Sequence, residues 1–189
     1  QTEAVTDYKP EPSVYTPKFN RAGYTIFDKA PSIKFTVTDD TKGGTSTEFA
    51  TKPNKSKGGG DPWEVKGKYI VDDLPGIDYD IGEVAGAMKV RGNFTTDYAK
   101  KGFRIKFDAK QNLFGLNGGK KFKKWVLFAD VKDTSMLRNS VSFFMSREMN
   151  KGGNVFTTDA TPVHVYINNQ YWGLYLLAEQ KEAEEQRMF

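Results

Sequence analysis

Basic side chains are concentrated in one segment of this 189-residue chain, between Lys89 and Lys124. The segment holds eleven Lys or Arg residues against two Asp residues, whereas the formal net charge of the whole chain is only +4. Such a concentration is typical either of a solvated basic face or of a site for phosphate, nucleic acid or an acidic polymer. The charge pattern by itself leaves these interpretations open.

Cysteine and histidine, two residue types that often carry catalysis or bind metals, are scarce in this chain. The chain has no cysteine, which excludes disulfides, thiolate catalysis and cysteine-based metal sites. Its one histidine, His164, lies in a predicted strand and has no serine or aspartate partner at a suggestive spacing, so we interpret it as a packing or surface residue. No phosphate-loop, nucleophile-elbow or zinc-protease motif is present, and no apolar run is long enough to span a membrane. We therefore expect no catalytic residue, no metal site and no membrane span in this chain.

The elements that must position the basic residues are mainly strands. In "GFRIKFD", Phe103, Ile105 and Phe107 alternate with Arg104 and Lys106, so the cations share the polar face of one strand. Similar apolar patterns predict seven strands, at residues 32–38, 63–71, 84–92, 102–108, 125–130, 163–167 and 172–177.

One helix is predicted over residues 134–149, with Asp133 or Thr134 as the capping residue and two glycines at its end. Several strands, one helix and then two strands predict an α+β fold, a mostly antiparallel sheet with one long packed helix. Residues 1–30 are rich in proline and are predicted to be an extended tail or linker, which leaves residues 31–189 as the folded unit.

Six short phrases occur in a characteristic order within the folded unit. They are "KVRGNFT" (89–95), "KKGFRIKFD" (100–108), "LFGL" (113–116), "KKWVLFAD" (123–130), "DTSMLRN" (133–139) and "VYINNQYWGLYLLAEQ" (165–180). In order and spacing they resemble the CotH family, which is named for a bacterial spore-coat protein. The resemblance covers about residues 31–189 and is densest over 88–180.

The resemblance implies a protein-kinase-like fold that binds ATP with Mg²⁺ or Mn²⁺ and transfers phosphate to protein. It also implies a secreted or cell-surface location, for example in a spore coat or an extracellular complex. The expected partners are a protein substrate, a coat or complex partner and possible polysaccharide, with no nucleic acid. In this picture the chain resembles the small, sheet-rich lobe, with the second lobe absent. The family's catalytic and metal-binding aspartates lie downstream of the stretch that ends at Gln180, so this chain alone is expected to be inactive and not to bind ATP tightly.

Four residues are the candidate nucleotide-binding set that the resemblance implies. Lys106 is the candidate for the phosphate-contacting lysine that kinases carry on a small-lobe strand, and Arg91 precedes a glycine that would let the backbone approach an anion. Tyr175 and Glu179 lie close to the counterpart of the kinase hinge and are the candidates for adenine. Alternatives remain open: Lys106 could simply face solvent, the glycine after Arg91 could simply serve a tight turn, and Tyr175 could belong to a core sheet.

Two other classes of function also remain open. The aromatic content and the lack of the family's downstream catalytic carboxylates are compatible with a non-catalytic extracellular module that binds carbohydrate or mediates adhesion. A scaffold role in a coat or a large complex would instead use residues 172–177 as an exposed edge strand for self-association.

Overall fold

The computed structural model describes residues 31–40, 47–52, 63–72, 81–153 and 155–180. Within these ranges the chain forms seven strands and one α-helix, α1 (Arg138–Met149), which lies between the fifth and sixth strands. The predicted tail at residues 1–30 lies outside the described residues. The strands are β1 (Ser32–Asp40), β2 (Glu64–Asp72), β3 (Ile81–Arg91), β4 (Gly102–Gln111), β5 (Phe122–Phe128), β6 (Ala160–Ile167) and β7 (Gln170–Glu179).

The seven strands close into a barrel in the order β1-β2-β3-β4-β5-β7-β6. All neighbouring strands are antiparallel except β1 and β6, whose parallel pairing closes the barrel from Ser32 opposite His164 to Phe35 opposite Ile167. Closure gives each strand two hydrogen-bonded neighbours, so the sheet formed by these seven strands has no free edge.

Large side chains fill the interior of the barrel. Phe35 and Tyr69 lie with their ring centroids 4.4 Å apart, and Tyr69 also contacts Phe107 at 4.9 Å. Gly67 makes room for these rings, because a Cβ at that position would lie 2.2 Å from the Thr36 carbonyl oxygen and 2.6 Å from the Phe35 ring. Alternation of large and small residues is how a small barrel fills its interior. The largest fully buried side chains are Trp125, Tyr69, Tyr175, Phe35, Phe49, Phe103, Phe107, Phe122, Ile33, Met88 and Ile105.

The predicted strands are confirmed, but the predicted fold class is wrong. The seven strand positions agree with the apolar alternation to within about three residues at most ends. The domain is nevertheless mostly β, a closed barrel with one short helix, and not an α+β sheet with a long packed helix. The expected edge strand at residues 172–177 is also wrong, since β7 pairs with β5 on one side and β6 on the other.

The helix is shorter than predicted because its first turn is replaced by a side-chain-stabilised turn. The Asp133 carboxylate accepts hydrogen bonds from the Ser135 amide, the Ser135 hydroxyl and the Arg138 amide, and Met136 has a φ of +54°. Asp and Ser side chains offer the backbone such alternatives to helix, so α1 begins at Arg138 instead of residue 134. No residue of α1 is buried. In the described part of the chain, no helix is long and apolar enough to cross a membrane.

Candidate functional site

Cations line the outer face of the β3–β4 pair. Met88 and Val90 on β3 and Phe103 and Ile105 on β4 point into the barrel, so the residues between them point outward. Lys89 lies directly opposite Arg104, Ala87 lies opposite Lys106, and Arg91 lies opposite Gly102. The outward positions are therefore occupied by Lys89, Arg91, Arg104 and Lys106, which we call the basic face.

A groove of about 340 Å³ opens at one end of the basic face. At its rim Gly92 has a φ of +125°, a conformation that side chains rarely adopt, and a Cβ there would lie 2.3 Å from the Thr95 hydroxyl oxygen. Glycine is thus required for the turn that follows β3 and that carries Asn93 to the groove. The groove is lined by Lys89, Val90, Arg91, Gly92, Asn93, Arg104 and Gln180.

Like charges at this groove disfavour one another. Burial, and then the neighbouring Arg104 guanidinium, lower the pKa of Lys89 below its ordinary value. The same two causes lower the pKa of Arg91. Glu64 on β2 offsets part of the charge, with its carboxylate 3.3 Å from the Arg104 guanidinium. A bound anion would relieve the remaining repulsion, since an opposite charge within a few ångströms favours the charged form of each cation.

A second cleft of about 380 Å³ lies on the other side of Arg91, between the end of β5 and the start of α1. The Lys100 ammonium donates hydrogen bonds to the carbonyl oxygens of Ala129 at 2.9 Å and Leu174 at 2.6 Å, and lies 4.5 Å from the centroid of the Tyr175 ring. The Asp130 carboxylate accepts a 2.6 Å hydrogen bond from the Asn139 amide, and burial raises its pKa. These contacts fix the loop between β5 and α1 against the barrel.

The structure separates the four sequence-predicted nucleotide-binding residues into two pairs. Arg91 and Lys106 both lie on the basic face, and Lys106 is close enough to Lys89 to lower its pKa. Tyr175 and Glu179 instead lie on the inward positions of β7, where both are buried. The Glu179 carboxylate accepts a hydrogen bond from the Asp159 amide at 3.0 Å. The structure therefore does not bring the proposed adenine pair onto the same surface as the proposed phosphate pair.

Two basic residues at the groove were not among the sequence-predicted site residues. Lys89 and Arg104 line the groove as directly as Arg91 does. The alternation of apolar and basic residues along β3 and β4 indicated that both face outward. The sequence does not reveal the cross-strand register that places Lys89 opposite Arg104. Gln180 also reaches the groove although it follows the predicted strand at residues 172–177.

Together these features define a small, mostly β barrel domain with a basic groove on its outer wall. A sequence model of the family described as CotH kinase protein matches residues 88–188, which is more than half of the chain. The chain therefore belongs to the CotH family, as its six phrases predicted. A comparison with curated proteins found no significant match.

Proposed function

We propose that this chain binds the phosphates of ATP at the basic groove, in support of phosphoryl transfer to protein by a CotH-type protein. The observation that carries the proposal is the convergence of Lys89, Arg91 and Arg104 around one groove, next to a turn that requires Gly92. Phosphoryl transfer depends on cations placed where the phosphates lie. The family membership supports this choice of anion.

The groove fits a polyphosphate in size and charge. Its volume of about 340 Å³ lies at the lower end of the range of small-molecule sites. Two guanidinium groups offer planar, bidentate donors to phosphate oxygens, and a lysine adds a point charge. Lys106 extends the same face toward the middle of β4. The adenine contact at Tyr175 and Glu179 is not part of this proposal, because both side chains are buried inside the barrel.

The metal would enter this site with the nucleotide. Among the described residues, no group of three or more His, Cys, Asp or Glu side chains is placed to hold a metal ion. Mg²⁺ commonly keeps several waters and binds through substrate phosphates. We therefore propose that Mg²⁺ or Mn²⁺ arrives on the ATP phosphates, and that this chain contributes phosphate binding and not the catalytic carboxylates. A secreted or cell-surface location, with a protein substrate, completes the proposal.

Titration calorimetry with Mg-ATP tests the proposal. Arg91→Gln and Lys89→Gln should each weaken binding about tenfold or more, because each removes a charged hydrogen bond worth about 1.5–3 kcal/mol. The control is Lys151→Gln, which removes an exposed lysine beyond the end of α1 and should leave binding unchanged. Because this chain alone is expected to bind ATP only weakly, the titration extends to about 10 mM nucleotide. A wild-type protein with no saturable binding of Mg-ATP or inorganic triphosphate up to that concentration would refute the proposal, as would equal losses in the control.

A carbohydrate-binding role is a second candidate, favoured by one aromatic cluster. Tyr166 and Tyr171 have ring centroids 5.4 Å apart, and the Tyr171 hydroxyl lies 2.9 Å from Nδ1 of His164. All three rings are half-buried on β6 and β7, so each presents some surface to solvent. Retention on insoluble polysaccharide that is lost in Tyr166→Ala and unaffected by ATP would favour this role.

A further inference from the structure

The side of α1 that faces away from the barrel carries four large exposed apolar residues. Val141, Phe144 and Met145 are between 49% and 55% exposed, and Met149 is 81% exposed. Leu137, directly before the helix, is 58% exposed and lies on the same side. These positions follow the helical spacing of about 3.6 residues and form one continuous row, which we call the apolar stripe.

The opposite side of α1 is attached to the barrel mainly by polar contacts. Asn139 donates to Asp130 near the start of the helix, and the Arg147 guanidinium pairs with the Asp159 carboxylate near its end. One aromatic contact lies between them, with the Phe143 and Phe128 ring centroids 6.1 Å apart. A helix that packs a polar side inward exposes an apolar side, and exposed apolar patches on folded domains mark interaction surfaces.

The apolar stripe is complementary to a reversed copy of itself. Leu137 and Met149 lie six positions before and after Phe143, and Val141 and Met145 lie two positions before and after it. The exposed charges at its two ends follow the same symmetry, with Arg138 five positions before Phe143 and Glu148 five positions after. Two antiparallel copies would therefore place each Arg138 next to the partner's Glu148. Within its own copy Arg138 lies 3.7 Å from Asp133 and Glu148 lies 3.4 Å from Lys151, and such exposed pairs are weak enough to be shared with or exchanged for a partner's charge.

We infer that α1 packs antiparallel against α1 of a second copy of this chain, through the apolar stripe and two reciprocal Arg138–Glu148 pairs. A two-fold contact of this kind uses the same surface on both copies. The helix is only about 18 Å long. The contact is therefore small and belongs to the weak, concentration-dependent class of interfaces.

Sedimentation velocity over a concentration range from about ten micromolar to one millimolar tests this inference, since weak interfaces dissociate in that range. The wild-type protein should shift from monomer toward dimer as its concentration rises. Glu148→Arg should weaken the dimer about tenfold to thirtyfold, because two attractive exposed pairs become repulsive. The double variant that adds Arg138→Glu should restore wild-type affinity. Both changes agree with the helix dipole, which favours acids at the N-terminus and bases at the C-terminus. Each also replaces an exposed ion pair within the chain, with Asp133 or Lys151, by a weak like-charge contact, so circular dichroism of each variant checks that α1 stays folded.

Two further variants separate the stripe from general charge effects. Val141→Asp should reduce dimerisation by about fiftyfold or more, since it places a charge in the apolar contact. Lys121→Glu changes an exposed lysine on another part of the surface and should leave dimerisation unchanged. A wild-type protein that stays monomeric up to one millimolar would overturn the inference. A double variant as weak as Glu148→Arg alone would overturn the antiparallel arrangement.

Discussion

Lys100 connects three parts of the barrel, and replacing it with methionine should destabilise the fold measurably. Its ammonium group joins the start of β4 to the carbonyl oxygens of Ala129, after β5, and Leu174, on β7. It also lies over the face of the Tyr175 ring. Methionine keeps most of the apolar stem and removes all three polar contacts.

The expected cost follows from these contacts. A hydrogen bond to a charged group contributes about 1.5–3 kcal/mol, and a cation–π contact about 0.5–1 kcal/mol at a partly exposed site. Burial lowers the pKa of Lys100, which shows that removing this ammonium from water offsets part of that gain. We therefore expect a loss of about 2–4 kcal/mol in the free energy of unfolding. For a domain of this size the melting temperature should fall by about 5–12 °C.

Urea unfolding followed by tryptophan fluorescence measures this loss, because Trp125 is buried in the core. Lys121→Met is the matched control, since Lys121 is exposed and should tolerate the change within about 0.5 kcal/mol. If the free energy of unfolding of Lys100→Met lay within about 0.5 kcal/mol of the wild-type value, the two carbonyl contacts would not stabilise the barrel. A loss of equal size in the control would point to the same conclusion.

Three further changes test the core and the pH dependence. Gly67→Ala should lower the free energy of unfolding by about 3 kcal/mol, because its Cβ would lie 2.2 Å from the Thr36 carbonyl oxygen. Gly82 has open space around a Cβ, so Gly82→Ala is the control and should leave the free energy of unfolding nearly unchanged in the same urea titration. Burial lowers the pKa of His164, so below about pH 6.5 the unfolded chain binds more protons than the folded chain, and the free energy of unfolding should fall as the pH drops. His164→Gln should make this fall between pH 8 and 5 less steep, and an unchanged slope would contradict the assignment to His164. Burial raises the pKa of Asp130, so its negative charge lowers the free energy of unfolding above about pH 4. Asp130→Asn should therefore raise the melting temperature at pH 7 relative to wild type, and an equal rise in melting temperature at pH 4 would contradict this cause.

The strands could be predicted from the sequence because their determinants are local. In β4 the alternation of Phe103, Ile105 and Phe107 with basic residues fixes both the strand and its two faces. Closure of the sheet depends instead on which distant segments pair. The parallel contact of β1 with β6 has no local signature, so the same strands were compatible with an open sheet.

The helix shows how a correct pattern led to a wrong orientation. The spacing of Leu137, Val141 and Met149 predicted a helix, and the rule that a helix packs its apolar side on the core predicted its orientation. In the structure the contacts of Asn139 and Arg147 hold the polar side inward. These contacts involve Asp130 and Asp159 in the flanking loops, and single-sequence patterns do not reveal such pairings.

The candidate site was predictable only in part for a similar reason. Strand alternation was sufficient to place Arg91 and Lys106 on an outer face. The burial of Tyr175 depends on the barrel being closed, because in an open sheet one face of β7 could meet a ligand.

The closing contact between β1 and β6 also constrains how this domain is made. The Val37 amide donates to the Asn168 side chain across 131 residues of sequence, and the Asn168 amide donates to the Phe35 carbonyl. Contacts of such long range make folding slow, since chain entropy is lost before the contacts form. During synthesis β1 emerges early and cannot gain its second neighbour until β6 has left the ribosome. Until then β1 is paired only with β2 and keeps one free edge, at which pairing with another nascent chain competes with closure of the barrel.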